Sequence, residues 1–126
     1  MEKTITISGT KVRFKTNGAI PLRYKVQFGK DYFKEIFKML PVAQMNKKEE
    51  ELQPEDLDHI DFEVFYNMAW IMAKTADPTI PEPLEWLGQF EEFPITEIFP
   101  DLQELMMATL QSTKKKVPMS KAAAKK

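Results

Sequence analysis

"YNMAWIMAKTADPTIPEPLEWLGQF", Tyr66 to Phe90, carries both tryptophans of the 126-residue chain and three of its nine prolines. Its reading decides the fold. The helical pattern starts near Asp61, runs to about Thr75, and breaks at Asp77-Pro78, because proline disfavours helix in the residue before it. Pro83 suits the first turn of a new helix through Phe90, with Leu84 and Leu87 on one side. The stretch therefore predicts a helix, a proline-set corner and a returning helix.

On a helical wheel of roughly 100° per residue, Phe62, Phe65, Ala69 and Met72 fall together, and Val64, Met68 and Ile71 widen that face. A helix this apolar belongs at the centre of a core. Glu63, Asn67, Trp70 and Lys74 form the opposite, narrow sector, so a tryptophan interrupts the polar stripe. Either the returning segment around Leu84–Phe90 covers Trp70 within the chain, or Trp70 meets a partner, as tryptophan often does at binding hot spots. The first reading is preferred, because a large exposed aromatic is costly. On the second, the partner-contacting set is Trp70, Glu63, Asn67, Lys74 and Trp86.

Upstream, "TITISGTKVRFKT" (Thr4–Thr16) alternates apolar and polar residues about Gly9-Thr10 and predicts a β-hairpin with a type II′ turn. That register pairs Ile7 with Val12 and Ile5 with Phe14, leaving Lys11, Arg13 and Lys15 on the other face. A two-stranded ribbon needs helices over its apolar side. Pro21 opens a helix carrying Leu22, Val26 and the neighbouring Phe28, and Gly29 closes it. Asp31 caps "YFKEIFKML", whose Phe33, Ile36, Phe37 and Leu40 form a stripe ended by Pro41. Residues 41–60 read as a polar surface loop. Ile95, Ile98, Phe99, Leu102, Leu105, Met106, Thr109 and Leu110 keep the 3.6 repeat, with Pro100 predicting a kink or a fresh helix start. The expected fold is α+β and mainly α: a hairpin (3–16) packed on about five helices (19–112) in one domain, followed by a flexible lysine-rich tail (113–126).

Composition bounds the function. With no cysteine, disulfides and thiolate metal sites are excluded. No run reaches membrane-span length and no secretion segment opens the chain, so a cytoplasmic protein without membrane contact is expected. The net charge of −1 conceals blocks: +6 over residues 1–30, −13 over 31–112 and +6 over 113–126. Such blocks favour protein partners or pairing between copies, for which Lys11, Arg13 and Lys15 are the candidate self-association residues. The acidic middle argues against nucleic acid. The basic ribbon face with Arg23 and Lys25 lacks a stacking platform and reads as a solvated face.

Catalytic chemistry finds little to stand on. His59 lies among Asp56, Asp58 and Asp61, where acids complement a helix start better than they build a metal site. Ser8, Ser112 and Ser120 have no histidine in a nucleophile motif, and the four glycines are scattered. No enzyme, metal or cofactor is expected.

"NGAIPLRYKVQFGKDYFKEI" (Asn17–Ile36), "DFEVFYNMAWIMAKTADPTIPEPLEWLGQFE" (Asp61–Glu91) and the "LQSTKKK" ending (Leu110–Lys116) resemble tail assembly chaperones of long-tailed phages and prophages of Gram-positive bacteria. The best-matching parts are "PLRYKVQFGKD", "YNMAWIMAKTADP" and "EWLGQF", packing patterns whose sum carries the resemblance over most of residues 3–116. The resemblance implies a non-enzymatic, self-associating assembly factor of the host cytoplasm, absent from the mature virion. It implies binding of the tape measure protein, and recruitment of tail tube protein by a form extended through programmed frameshifting. Eight methionines suit adaptable apolar grooves for a helical client. A small cytoplasmic adaptor with a single protein partner is the alternative, and a nucleic-acid-binding regulator is weaker.

Overall fold

The computed structural model describes residues 1–39 and 61–124, with side chains as far as 111. The elements are β1 (Glu2–Ile7), β2 (Thr10–Lys15), α1 (Ile20–Phe28), α2 (Tyr32–Lys38), α3 (Phe62–Ala76), α4 (Pro83–Leu87) and α5 (Ile95–Ala124). This is the expected α+β, mainly α arrangement of a hairpin on helices. Leu40, His59, Asp56 and Asp58 lie outside the described residues, as does the predicted polar loop.

β1 and β2 pair antiparallel, but two residues away from the predicted register: Ile7 faces Thr10, Ile5 faces Val12 and Lys3 faces Phe14. The turn sits at Ser8-Gly9, with φ of 51° and 80°. Positive φ at both central residues makes it type I′, which matches strand twist as well as the predicted II′ turn does. A slip of two residues keeps every side chain on its face. Hence Ile5, Ile7, Val12 and Phe14 still share the inner side. Serine rarely takes positive φ; here its hydroxyl donates to the Glu92 carbonyl (2.7 Å) and accepts the Glu92 N–H (3.0 Å). That clamp ties the turn to the connection preceding α5.

α3 is the centre of the core, lying against β2, α1 and α4, while α5 covers β1. Asp61 caps it, accepting the Val64 N–H at 3.3 Å. Val64, Phe65, Met68, Ala69, Ile71 and Met72 are buried as the wheel predicts, whereas Phe62, at the helix start, is exposed. On one side of α3 stands an aromatic set around Trp86, edge-on to Phe14 (6.4 Å), Phe90 (5.2 Å) and Phe93 (5.8 Å). Phe93 also meets Phe65 at 6.3 Å, joining this set to α3. Lys3 pairs with Glu104 at 2.8 Å and Asp101 at 3.5 Å, fastening β1 to α5.

Two faces differ from the predicted pattern. In α2, Tyr32, Glu35 and Ile36 are buried and Phe37 is exposed. Asp31 does cap the helix, accepting from the N–H groups of Phe33 and Lys34, but its rotation is set by the Tyr24–Glu35 contact described below. In α4 the inward residue is Trp86, while Leu84 is 85% exposed. The helix ends at Leu87 rather than Phe90, leaving a single turn whose one large anchor is the indole.

α5 runs unbroken through Pro100. The missing donor costs a helix interior roughly 3 kcal/mol, but burial of Ile98, Phe99 and Leu102 around it outweighs that cost. The backbone is helical to Ala124, including the segment from Thr113. Lysine and alanine, which dominate that segment, are good helix formers.

Candidate functional site

α1 opens at Ile20 with Pro21 in its first turn and ends at Gly29, whose φ of 71° and N–H bond to the Lys25 carbonyl (2.8 Å) form a left-handed cap. Between these ends the apolar residues alternate: Ile20, Leu22, Tyr24, Val26, Phe28. Alternation suits a strand, but at roughly 100° per residue a helix divides it between two sides. Ile20, Tyr24 and Phe28 share one side, and Leu22 and Val26 fall about opposite. α1 cannot bury both. Ile20 and Tyr24 enter the core, while Leu22 and Val26 are 68% and 77% exposed.

The inward side is fixed by aromatic and polar contacts. Tyr24 stacks with Phe28 (4.8 Å) and Tyr32 (5.6 Å), and its hydroxyl donates to buried Glu35 at 3.0 Å. Glu35 also pairs with Lys38 at 2.8 Å. Burial first, and the Glu35 charge second, raise the Tyr24 phenol above its ordinary value, with the Asn67 side chain acting in the opposite direction. Burial likewise pushes the Tyr32 phenol up to about 12, with the Thr109 side chain acting in the opposite direction. This network holds α1 and α2 against α3, so the outer side of α1 presents itself in a fixed position.

Between that side and α3 lies an open groove of about 390 Å³. Ala19, just ahead of α1, and Leu22, Arg23, Val26 and Gln27 of α1 form one wall, and Trp70, Ile71 and Lys74 form the floor and the other wall. Trp70 is only 2% exposed. Its Nε1–H donates to the Pro81 carbonyl at 2.8 Å, and its ring meets Phe28 edge-on at 5.9 Å. Lys74 Nζ sits 5.8 Å from the Trp70 ring centroid and donates to the Ile80 carbonyl at 2.8 Å. Trp70 is thus covered by its own chain, through the corner and α1 rather than through Leu84–Phe90. The corner is itself braced: Asp77 accepts from the Thr79 N–H (3.0 Å) and hydroxyl (2.6 Å), and Gln27 donates to Glu82 at 3.1 Å.

Of the predicted partner-contacting residues, the structure brings Trp70 and Lys74 together at the groove. Asn67 lies half-buried near the Tyr24 hydroxyl. Glu63 is exposed at the start of α3, 3.8 Å from Lys30. Trp86, also 2% exposed, belongs to the aromatic set under β2. With both indoles inside the core, neither offers a surface anchor in this structure. Lys11, Arg13 and Lys15 share the outer ribbon face as predicted. Arg13, however, is committed to the Ala76 carbonyl (2.9 Å) and to Glu2 (3.4 Å), and with Lys11 it borders a small cavity of about 150 Å³.

The apolar face that sequence reasoning missed is Leu22 and Val26. Its signal was present in the two-residue alternation of "IPLRYKVQF". Among the described residues no group of acids and histidines could hold a metal ion, and no helix is long and apolar enough to cross a membrane. Comparison with protein-family models, with curated proteins and with solved structures returns no match.

Proposed function

We propose that this chain is a non-enzymatic tail assembly chaperone of a long-tailed phage, which binds the tape measure protein and keeps it soluble in the host cytoplasm while the tail is built. The observation that carries the reading is the second apolar face of α1. A helix that exposes Leu22 and Val26 beside an open groove is equipped to receive apolar side chains from a helical client. The resemblance of Asn17–Ile36 and Asp61–Glu91 to such chaperones supplies the client's identity. Recruitment of tail tube protein by a frameshift-extended form, self-association through the basic ribbon face at Lys11 and Lys15, and absence from the mature virion belong to the same proposal. Contacts between basic and acidic blocks of successive copies are heterologous and need not close.

Co-expression with the tape measure protein tests it. Soluble tape measure protein recovered in complex with the chain is expected; tape measure protein that aggregates with or without the chain refutes the reading. A one-to-one adaptor remains the alternative, separated by whether several copies or one accompany each client.

A further inference from the structure

We propose that the groove between α1 and α3 takes an acidic amphipathic helix, about two turns long, presented by a partner protein. The proposal rests on the client-binding reading for the partner's identity, and on the groove alone for its chemistry.

Length comes from the wall. Ala19 to Gln27 spans two helical turns, and exposed Leu22 and Val26 stand one turn apart. An incoming helix with apolar residues at i and i+4 matches that pair. Charge comes from the flanks. On the wheel Arg23 stands to one side of the Leu22–Val26 stripe and Lys25 to the other, while Lys74 faces them from α3. Among the described residues no acid lines the groove, although Glu82 accepts from the wall residue Gln27 at 3.1 Å, and neither Arg23 nor Lys25 has an ion pair. A helix with glutamate or aspartate beside its apolar stripe fits; a lysine-flanked one is repelled.

A second copy fits less well. Among the described residues the other exposed large apolar ones are Met1, ahead of β1, and Phe37, Phe62 and Leu84, each on a different helix. Among the described residues only α1 itself offers such a pair, and α1 packed on α1 sets Arg23 and Lys25 against their own copies, a like-charge contact that disfavours association. A lipid surface is disfavoured by shape, because a concave groove beside a nine-residue helix offers little to insert.

The test uses the full chain and two labelled synthetic helical peptides, identical in their leucine stripe and flanked by glutamate in one and lysine in the other. Fluorescence anisotropy should show the glutamate peptide binding, more weakly at high salt, and the lysine peptide at least about tenfold weaker. Val26→Glu should weaken the glutamate peptide by about tenfold or more, the worth of one buried aliphatic side chain. The double variant Arg23→Glu/Lys25→Glu should invert the preference, which a merely structural role for either residue does not predict. All three positions are exposed, and an unchanged thermal midpoint confirms folding.

Binding of neither peptide, equal binding of both, or a preference that survives the charge reversal overturns the proposal. So does a dimer dissolved by Val26→Glu, which assigns the groove to a second copy. Val26-dependent adsorption to phosphatidylserine vesicles with no peptide binding overturns it in favour of a membrane. Failure of the peptides while the tape measure protein still stays soluble in co-expression removes this inference alone. Peptide binding with an aggregated tape measure protein removes the tail-assembly reading alone.

Discussion

Replacing Trp70 by alanine separates a core role from a surface role. The indole is almost wholly buried, donates to the Pro81 carbonyl at 2.8 Å, and packs edge-on against Phe28 at 5.9 Å. Large-to-small replacement of a buried tryptophan costs about 3–5 kcal/mol, a figure that already includes the cavity left behind. The Pro81 carbonyl loses its donor but sits on a half-buried corner where water can replace it, so little more is added. For a domain of this size each kcal/mol lowers the midpoint by roughly 4 °C, giving a fall of about 12–20 °C by circular dichroism. Trp70→Phe keeps much of the ring volume and removes the donor. It should cost about 1–2 kcal/mol, mostly from imperfect filling of the indole's site. Val26→Ala, on the exposed side of α1, should stay within about 0.5 kcal/mol of the parent. A Trp70→Ala midpoint within about 2 °C of the parent would refute the packing described here and return Trp70 to the surface.

Ser8→Ala should cost about 1–2 kcal/mol in urea unfolding, because it deletes both hydrogen bonds to Glu92 and keeps a side chain at positive φ. Ser8→Gly should cost less, since glycine relieves that φ; equal losses would place the whole effect in the hydroxyl. The two phenols predict alkaline destabilisation. Each has a folded value raised above its ordinary 10, so their contribution is complete below pH 10 and is lost as pH rises, for Tyr32 across about 10 to 12. Subtracting the stability profiles of Tyr24→Phe and Tyr32→Phe from the parent should isolate this slope; a parent profile parallel to both variants contradicts it. Asp77 carries the opposite sign. Hydrogen bonds from Thr79 hold its carboxyl below its ordinary value, so its contribution is present above about pH 4 and fades as pH falls through the lowered value. Thr79→Val should flatten that acid limb, and an unchanged limb would show that the Asp77–Thr79 turn does not bear on stability.

What could be read from the sequence was set by how strongly each segment's own residues constrain it. α3 has fifteen residues, one dominant apolar side and an aspartate cap, so its existence, bounds and burial follow from local pattern. The face of α5 followed equally well, since Ile98, Phe99, Leu102, Leu105 and Met106 are all buried. The rotation of α2 did not. Phe37 is as apolar as Phe33, and only the Tyr24 hydroxyl, brought in by α1, draws Glu35 inward and turns Phe37 out. The hairpin register was ambiguous for a related reason. Ser8-Gly9 and Gly9-Thr10 both make acceptable turns, and both put the same four residues inward, so the choice fell to Glu92, more than eighty residues away.

At the candidate site, Lys74 and Trp70 were legible as neighbours on one helix sector, but their covering was not. The Pro81 and Ile80 carbonyls that engage them depend on the path of the corner after Asp77-Pro78, which composition does not fix. Leu22 and Val26 stand outside the core because Ile20 and Tyr24 occupy the inward side of α1. A nine-residue helix with five alternating apolar residues has more apolar surface than one core-facing side can hide. The surplus is the groove wall.

Co-expression of the tape measure protein with the parent chain and with Val26→Glu, compared at matched thermal midpoints, tests the central claim that the outer face of α1 receives a client. The account predicts a soluble complex with the parent and an aggregated tape measure protein with Val26→Glu. Equal solubility with the two, or aggregation with both, would contradict it.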